Sequence, residues 1–217
     1  MIETIDTAAN RAALPGIMAD HRAADRIAKG NYWRDGKGCA VGCAMHSLAP
    51  EQSHADHAYL GRLLDAPESL MRLVDFTFEG LPHELSMDWP TRFSAALLDS
   101  GKDSAALQLA AYRHTHRVLD WVLAQEYAAP VRAACLPALV VALRLADGEA
   151  VSRTASEAAA EAARAAGNCV GADAGSAAEA ARSSVGCAAY AARAAGWADE
   201  ADTWAMFADW LIEEIAR

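Results

Sequence analysis

The chain predicts an all-α fold: a compact multi-helix array of about eight to ten helices, closed by an alanine-rich C-terminal helical subdomain. Three observations carry this. Alanine supplies 54 of the 217 residues, against 4 Phe and 5 Tyr. Alanine is the best helix former, whereas a sandwich or barrel needs many β-branched and aromatic strand residues. Apolar residues recur at spacings of three and four, and Gly or Pro falls between the periodic stretches. Apolar residues make up 53% of the chain, too many for wholesale disorder.

The elements follow in order. Pro15 suits a first turn, so a helix is expected over 17–29, ended by Gly30. Residues 30–42 break the pattern with four glycines, two aromatics and alternating charge. Helix returns from Cys39 or Ala40 to Leu48, and further helices are expected at 52–65, 67–79, 90–99, 104–126 and 131–146. Pro67 and Pro90 suit starts, Gly80-Leu81-Pro82 and Asp99-Ser100-Gly101 suit breaks, and Pro137 kinks or delays the last of these.

Residues 151–200 change character, with 21 alanines and no Phe, Ile or Leu. Two alanine helices are expected at 154–166 and 176–195, with capping-box spacing at Thr154/Glu157 and Ser176/Glu179. A last helix over 199–216 carries an apolar stripe of Trp204, Phe207, Trp210, Leu211 and Ile215. The domain organisation expected is 1–149, carrying the Gly/Cys/His segment, with 150–217 packed on it as the alanine-rich subdomain.

The net charge of -10 argues against general nucleic-acid binding, which draws its affinity from cations on phosphate. The densest basic run, Arg11 to Lys37, is interrupted by Asp20, Asp25 and Asp35. No apolar run approaches the roughly 20 residues of a membrane helix, so no membrane partner is expected. The N-terminus lacks a signal-peptide pattern, and five cysteines fit reduced thiols. A cytoplasmic protein is the expectation. The hydrolase elbow, zincin and Rossmann signatures are absent.

Chemistry is expected in the segment Tyr32 to His46, YWRDGKGCAVGCAMH. Three readings compete. In the first, a helix opening at Gly38 offers its free N–H groups to a small anionic, nucleotide-like ligand, with Trp33, Lys37, Gly38, Cys39 and Gly42 forming the site. Cys39 in that first turn would have its thiolate favoured and act as a catalytic nucleophile of hydrolase-like chemistry. His46 lies roughly 10 Å along the helix, so a base would come from His54, His57 or His83.

In the second reading, Cys39, Cys43 and His46 share one helix face, His54 and His57 the next, and Asp75 with Glu79 a third. Cys43, His46, His57, Asp75 and Glu79 could then converge on zinc or iron. In the third, Gly38, Cys39, Gly42 and Cys43 make a smooth seam for close packing. His114 and His116 are two apart, so on a helix they point different ways. Cys135, Cys169 and Cys187 sit among alanines and read as core.

The segments YWRDGKGCAVGCAMH (32–46), DHAY (56–59), FEGLP (78–82) and DWPTRF (88–93), with the alanine-rich tail, resemble a group of bacterial and bacteriophage proteins of no established activity. The resemblance implies a mobile-element or accessory role. It directs attention to Gly38, Cys39, Cys43, His46, His57, Glu79 and Trp89. An alternative to a ligand site is a non-catalytic phage or accessory protein, of anti-defence or immunity type, whose acidic surface occupies a basic site on a host protein; the absence of a complete catalytic constellation and the net charge of -10 favour it.

Overall fold

The computed structural model describes residues 5–52, 56–124, 129–159 and 200–217, with backbone alone at 122, 123 and 129–135. Every regular element among them is a helix, so the all-α class holds. In order these are α1 (Thr7–Ala23), α2 (Ala40–Leu48), α3 (His57–Leu63), α4 (Glu68–Gly80), α5 (His83–Ser100), α6 (Ser104–Ala124), α7 (Ala129–Ala146) and α8 (Glu200–Ala216). A further helical stretch covers 153–159. No described helix is long and apolar enough to cross a membrane.

Several boundaries differ from the sequence reading, among them α3, which spans His57–Leu63 rather than 52–65, and proline is the cause of two. α1 begins ten residues before Ile17, where the Asp6 side chain caps it by accepting from Ala9 N–H at 3.0 Å. Pro15 therefore lies inside the helix. α5 likewise begins at His83 after Pro82 and carries Pro90 within it. Each interior proline leaves the carbonyl four residues back without its helical donor, a loss that flanking packing must offset. α1 also ends at Ala23 rather than Lys29. Asp25 takes a left-handed φ of 53° and Arg26 N–H returns to the His21 carbonyl, which turns the chain away.

The chain divides into two compact units: Met1–Gln108 with Ile215–Arg217, and Leu109–Glu214. The division falls within α6, and the boundary expected at 149/150 lies inside the second unit. The reason is packing: Ala159 buries against Leu119 of α6 and Ala138 and Ala142 of α7 in one apolar cluster. The stretch at 153–159 is capped by Ser152, whose Oγ accepts from Ala155 N–H, rather than by Thr154. The remaining alanine-helix residues, with Ser176/Glu179, Cys169, Cys187 and the Cys135 side chain, lie outside what is described.

In the first unit α1 packs on α5 and α2, while α4 packs on α2, α3 and α5. Leu14, Met18, Val41, Leu64, Met71 and Phe93 are buried where these faces meet. Trp89 is wholly buried and donates its indole N–H to the Val74 carbonyl at 3.1 Å, tying α5 to α4. In the second unit the expected aromatic stripe of α8 is buried at Trp204, Phe207 and Leu211. Ile215, the last residue of the stripe, is also buried and begins the segment counted with the first unit. Trp121 of α6 meets the Phe207 ring edge-on at 5.7 Å.

Candidate functional site

The site is built on the loop between α1 and α2. Asp35 and Gly36 both have positive φ, 52° and 81°, and Arg34 and Lys37 exchange both backbone hydrogen bonds, at 2.7 and 3.0 Å. This is the two-residue hairpin turn that Asp-Gly favours. Beyond the turn, Gly38 pairs with the stretch that follows α1 in a parallel bridge at Ile27: Gly38 N–H donates to the Arg26 carbonyl and Ala28 N–H to the Gly38 carbonyl. The turn folds the loop back so that the Tyr32 backbone crosses the start of α2. A Cβ on Gly42 would stand 1.3 Å from the Tyr32 carbonyl oxygen, and one on Gly38 would stand 2.0 Å from it. Both glycines are therefore required by a close backbone approach. The seam expected for a helix holds this crossing strap.

α2 opens at Ala40 with Cys39 as its N-cap, the Cys39 Sγ accepting from Gly42 N–H at 3.5 Å. This corrects the expected anion cradle. Gly38 N–H goes to Arg26, Cys39 N–H to the Asn31 carbonyl at 2.7 Å, and Gly42 N–H to Cys39 Sγ. Lys37 turns outward to Asp25, Nζ to Oδ2 2.6 Å. The Gly38, Cys39 and Gly42 N–H groups are thus taken by the protein's own acceptors.

The expected reactive thiolate is corrected in the same way. Cys39 is 2% exposed, and burial pushes its thiol well above the ordinary range. The Asp75 carboxylate adds to that rise, through its charge and as a hydrogen-bond partner of the protonated thiol, and the Gly42 and Val41 N–H groups offset only part of it. A free Cys39 stays protonated at neutral pH, the opposite of an activated nucleophile.

The structure brings Cys39 to a different set of partners. The Sγ of Cys39, one carboxylate oxygen of Asp75 and one of Glu79 all lie within 4.8 Å of one another. Asp75 and Glu79 are i and i+4 on α4, so both side chains leave the same helix face. Asp75 is also bonded through Oδ2 to His57 Nε2 at 3.2 Å. Its Oδ1 is buried with no hydrogen-bond partner. Glu79, at the exposed rim, accepts the Gly30 N–H on both oxygens, at 3.0 and 3.2 Å. Partial burial raises the Glu79 carboxyl, Asp75 adds to the rise, and the Gly30 N–H counters it. Lys29 Nζ clamps the Glu79 and Leu81 carbonyls at the end of the same helix.

Of the metal ligands expected from spacing, Asp75 and Glu79 converge and His57 stands behind Asp75. Cys43 and His46 do not join them, which corrects that part of the reading. Cys43 is fully buried, its Sγ donating to the Gly38 carbonyl at 3.3 Å, with its thiol pushed up by burial to about 12. His46 stacks flat on Trp33, centroids 3.9 Å apart and planes 13° apart. Trp33 also meets the His21 ring edge-on at 5.5 Å, so it is an aromatic anchor for the loop rather than a wall of the cluster. His21 Nε2 pairs with Ser47 Oγ at 2.8 Å. His54 lies outside the described residues.

Two signals in the sequence went unused. The Asp35-Gly36 dipeptide marks the hairpin that delivers Tyr32 and Gly30 to their places. Cys39, as the residue just outside the helix, faces away from the Cys43 and His46 line, so helical spacing misplaces it. No protein-family profile, curated protein or solved structure matches this chain.

Proposed function

We propose that the protein binds one divalent transition-metal ion through Cys39, Asp75 and Glu79, and that zinc is that ion. The convergence of one thiol and two carboxylates from two helices, within 4.8 Å, carries this reading. The chemistry of the donor set supports it. Thiolate and carboxylate are both zinc ligands, and a soft sulfur donor disfavours magnesium and calcium. The unpartnered, buried Asp75 Oδ1 supports it as well, because buried carboxylate oxygens are ordinarily satisfied. A coordinating metal removes the proton that burial otherwise keeps on Cys39.

Three protein donors would leave a bound zinc ion an exchangeable position, as catalytic zinc sites keep and structural ones do not, and the ion would there supply acidification of a water for hydrolytic chemistry. The test is elemental analysis of protein purified without a His tag, followed by cobalt(II) titration of the stripped protein. Near-stoichiometric zinc and a thiolate-to-cobalt charge-transfer band are expected, the band being lost in Cys39→Ser. Iron in place of zinc would change the ion and keep the site. Protein that takes up no metal, with stability indifferent to a chelator, would overturn the proposal.

A further inference from the structure

We infer that His57 is a positioning residue for this centre, holding the Asp75 carboxylate by one oxygen so that the other is presented to the ion. The inference rests on the metal reading above and adds a role for a residue outside its ligand set. An ionised carboxylate only accepts, so the 3.2 Å contact requires His57 Nε2 to donate. The donating Nε2 has no lone pair left for a metal. Neither His57 ring nitrogen lies in the mutually close donor group, which among the described residues is Cys39, Asp75 and Glu79.

The consequence for Asp75 is an asymmetric carboxylate. Oδ2 is occupied by His57, and Oδ1 is buried and unpartnered. A free carboxylate would rotate about its last torsion and exchange the two oxygens, so the His57 bond selects which one is offered. The imidazole is itself fixed. It begins α3, where the Asp56 side chain caps the helix by accepting from Ala58 and Tyr59 N–H at 2.8 and 3.1 Å. Its side chain is 8% exposed, and the Tyr32 ring meets it edge-on at 5.7 Å. The strap that seats Tyr32 on Gly42 therefore also steadies His57. Glu79 has a corresponding outer partner in Gly30 N–H, but that donor is backbone and cannot be removed by side-chain exchange.

Outer partners of metal ligands typically set about 10–100-fold in affinity. The experiment measures cobalt(II) and zinc(II) affinity for the full chain, for His57→Ala and for His57→Gln, each also combined with Asp75→Ala. His57→Ala is expected to weaken cobalt binding about 10–100-fold, and His57→Gln, which keeps a donor at the Nε2 position, to recover most of it. In the Asp75→Ala background, His57→Ala is expected to change nothing further, as two residues acting through one contact must. Thermal unfolding of the metal-free variants separates folding from binding, and His57→Gln keeps the inference open to refutation if His57→Ala unfolds. Equal affinity with and without His57 overturns the inference and leaves the metal reading standing. A further loss in the Asp75→Ala background also overturns it, by making His57 a ligand in its own right. Failure of the unaltered chain to bind metal removes both readings.

Discussion

Half-buried Asp75 and wholly buried His114 both carry a buried polar atom with no hydrogen-bond partner, and they differ in their company. Asp75 leaves one oxygen unpartnered, with Cys39 and Glu79 converging beside it and His57 on its other oxygen. His114, in the second unit, is wholly buried with neither ring nitrogen bonded. Burial first, and the Arg117 charge second, push its pKa down to about 3, so the ring is neutral. An orphaned atom points to a ligand when other donors converge on it. Alone, it is a cost to stability that the surrounding packing offsets.

The comparison can be broken most severely at the strap. Gly42→Ala places a Cβ against the Tyr32 carbonyl and should destabilise the chain by about 3 kcal/mol or more, seen in urea unfolding, with cobalt affinity falling as Cys39 is displaced. An unchanged unfolding midpoint would show that the strap yields freely. Next in size, Asp75→Asn should reduce cobalt affinity at least about 100-fold, since it alters a proposed ligand rather than an outer partner. Metal-free stability should move by under about 1 kcal/mol, because the amide keeps the shape and a bond to His57. A large loss of metal-free stability would make Asp75 structural, like His114.

The contrast sharpens with pH. Unfolded His114 takes up a proton below about 6.5, whereas the folded ring stays neutral down to about 3. The unfolded state therefore binds more protons in this window, and stability is lost as pH falls from 6.5 towards 3. By pH 5 the loss attributable to His114 is about 2 kcal/mol. Urea unfolding of the unaltered chain and of His114→Leu at pH 7 and pH 5 should give that difference. At pH 7 the leucine variant should be more stable by about 1 kcal/mol, having lost two unsatisfied nitrogens. Parallel pH profiles would mean that His114 has partners in solution. Smallest of all, Gly16→Ala in α1, where no atom lies within 4 Å of the added carbon, should stabilise by about 0.5–1 kcal/mol, in contrast to Gly42. Destabilisation of that variant in the same unfolding assay would break the contrast between the two glycines.

The helices that the sequence made legible are those whose ends coincide with strong punctuation. α4 starts after Pro67 as expected, and α6 starts at Ser104. α1 and α5 were misjudged because proline was read as a boundary, while tertiary packing tolerates Pro15 and Pro90 in the interior. The site was legible in halves. The Asp75/Glu79 pair follows from helical spacing on α4. The choice of Cys39 over Cys43 does not, because it depends on a cap residue turning away from its own helix and on a loop bringing α4 to it.

The strap also bears on the order in which the molecule assembles. Tyr32 and Gly42 are ten residues apart in sequence, and a loop of that length closes in about 10–100 ns. The bond from Gly30 to Glu79 spans 49 residues and that from His57 to Asp75 spans 18. Longer closures cost more chain entropy before any contact rewards them. The thiol side of the proposed centre is thus expected to form first, and the carboxylates to arrive with α4 afterwards. Alteration of Gly42 should then slow refolding, whereas alteration of Asp75 or Glu79 should act mainly on the unfolding rate.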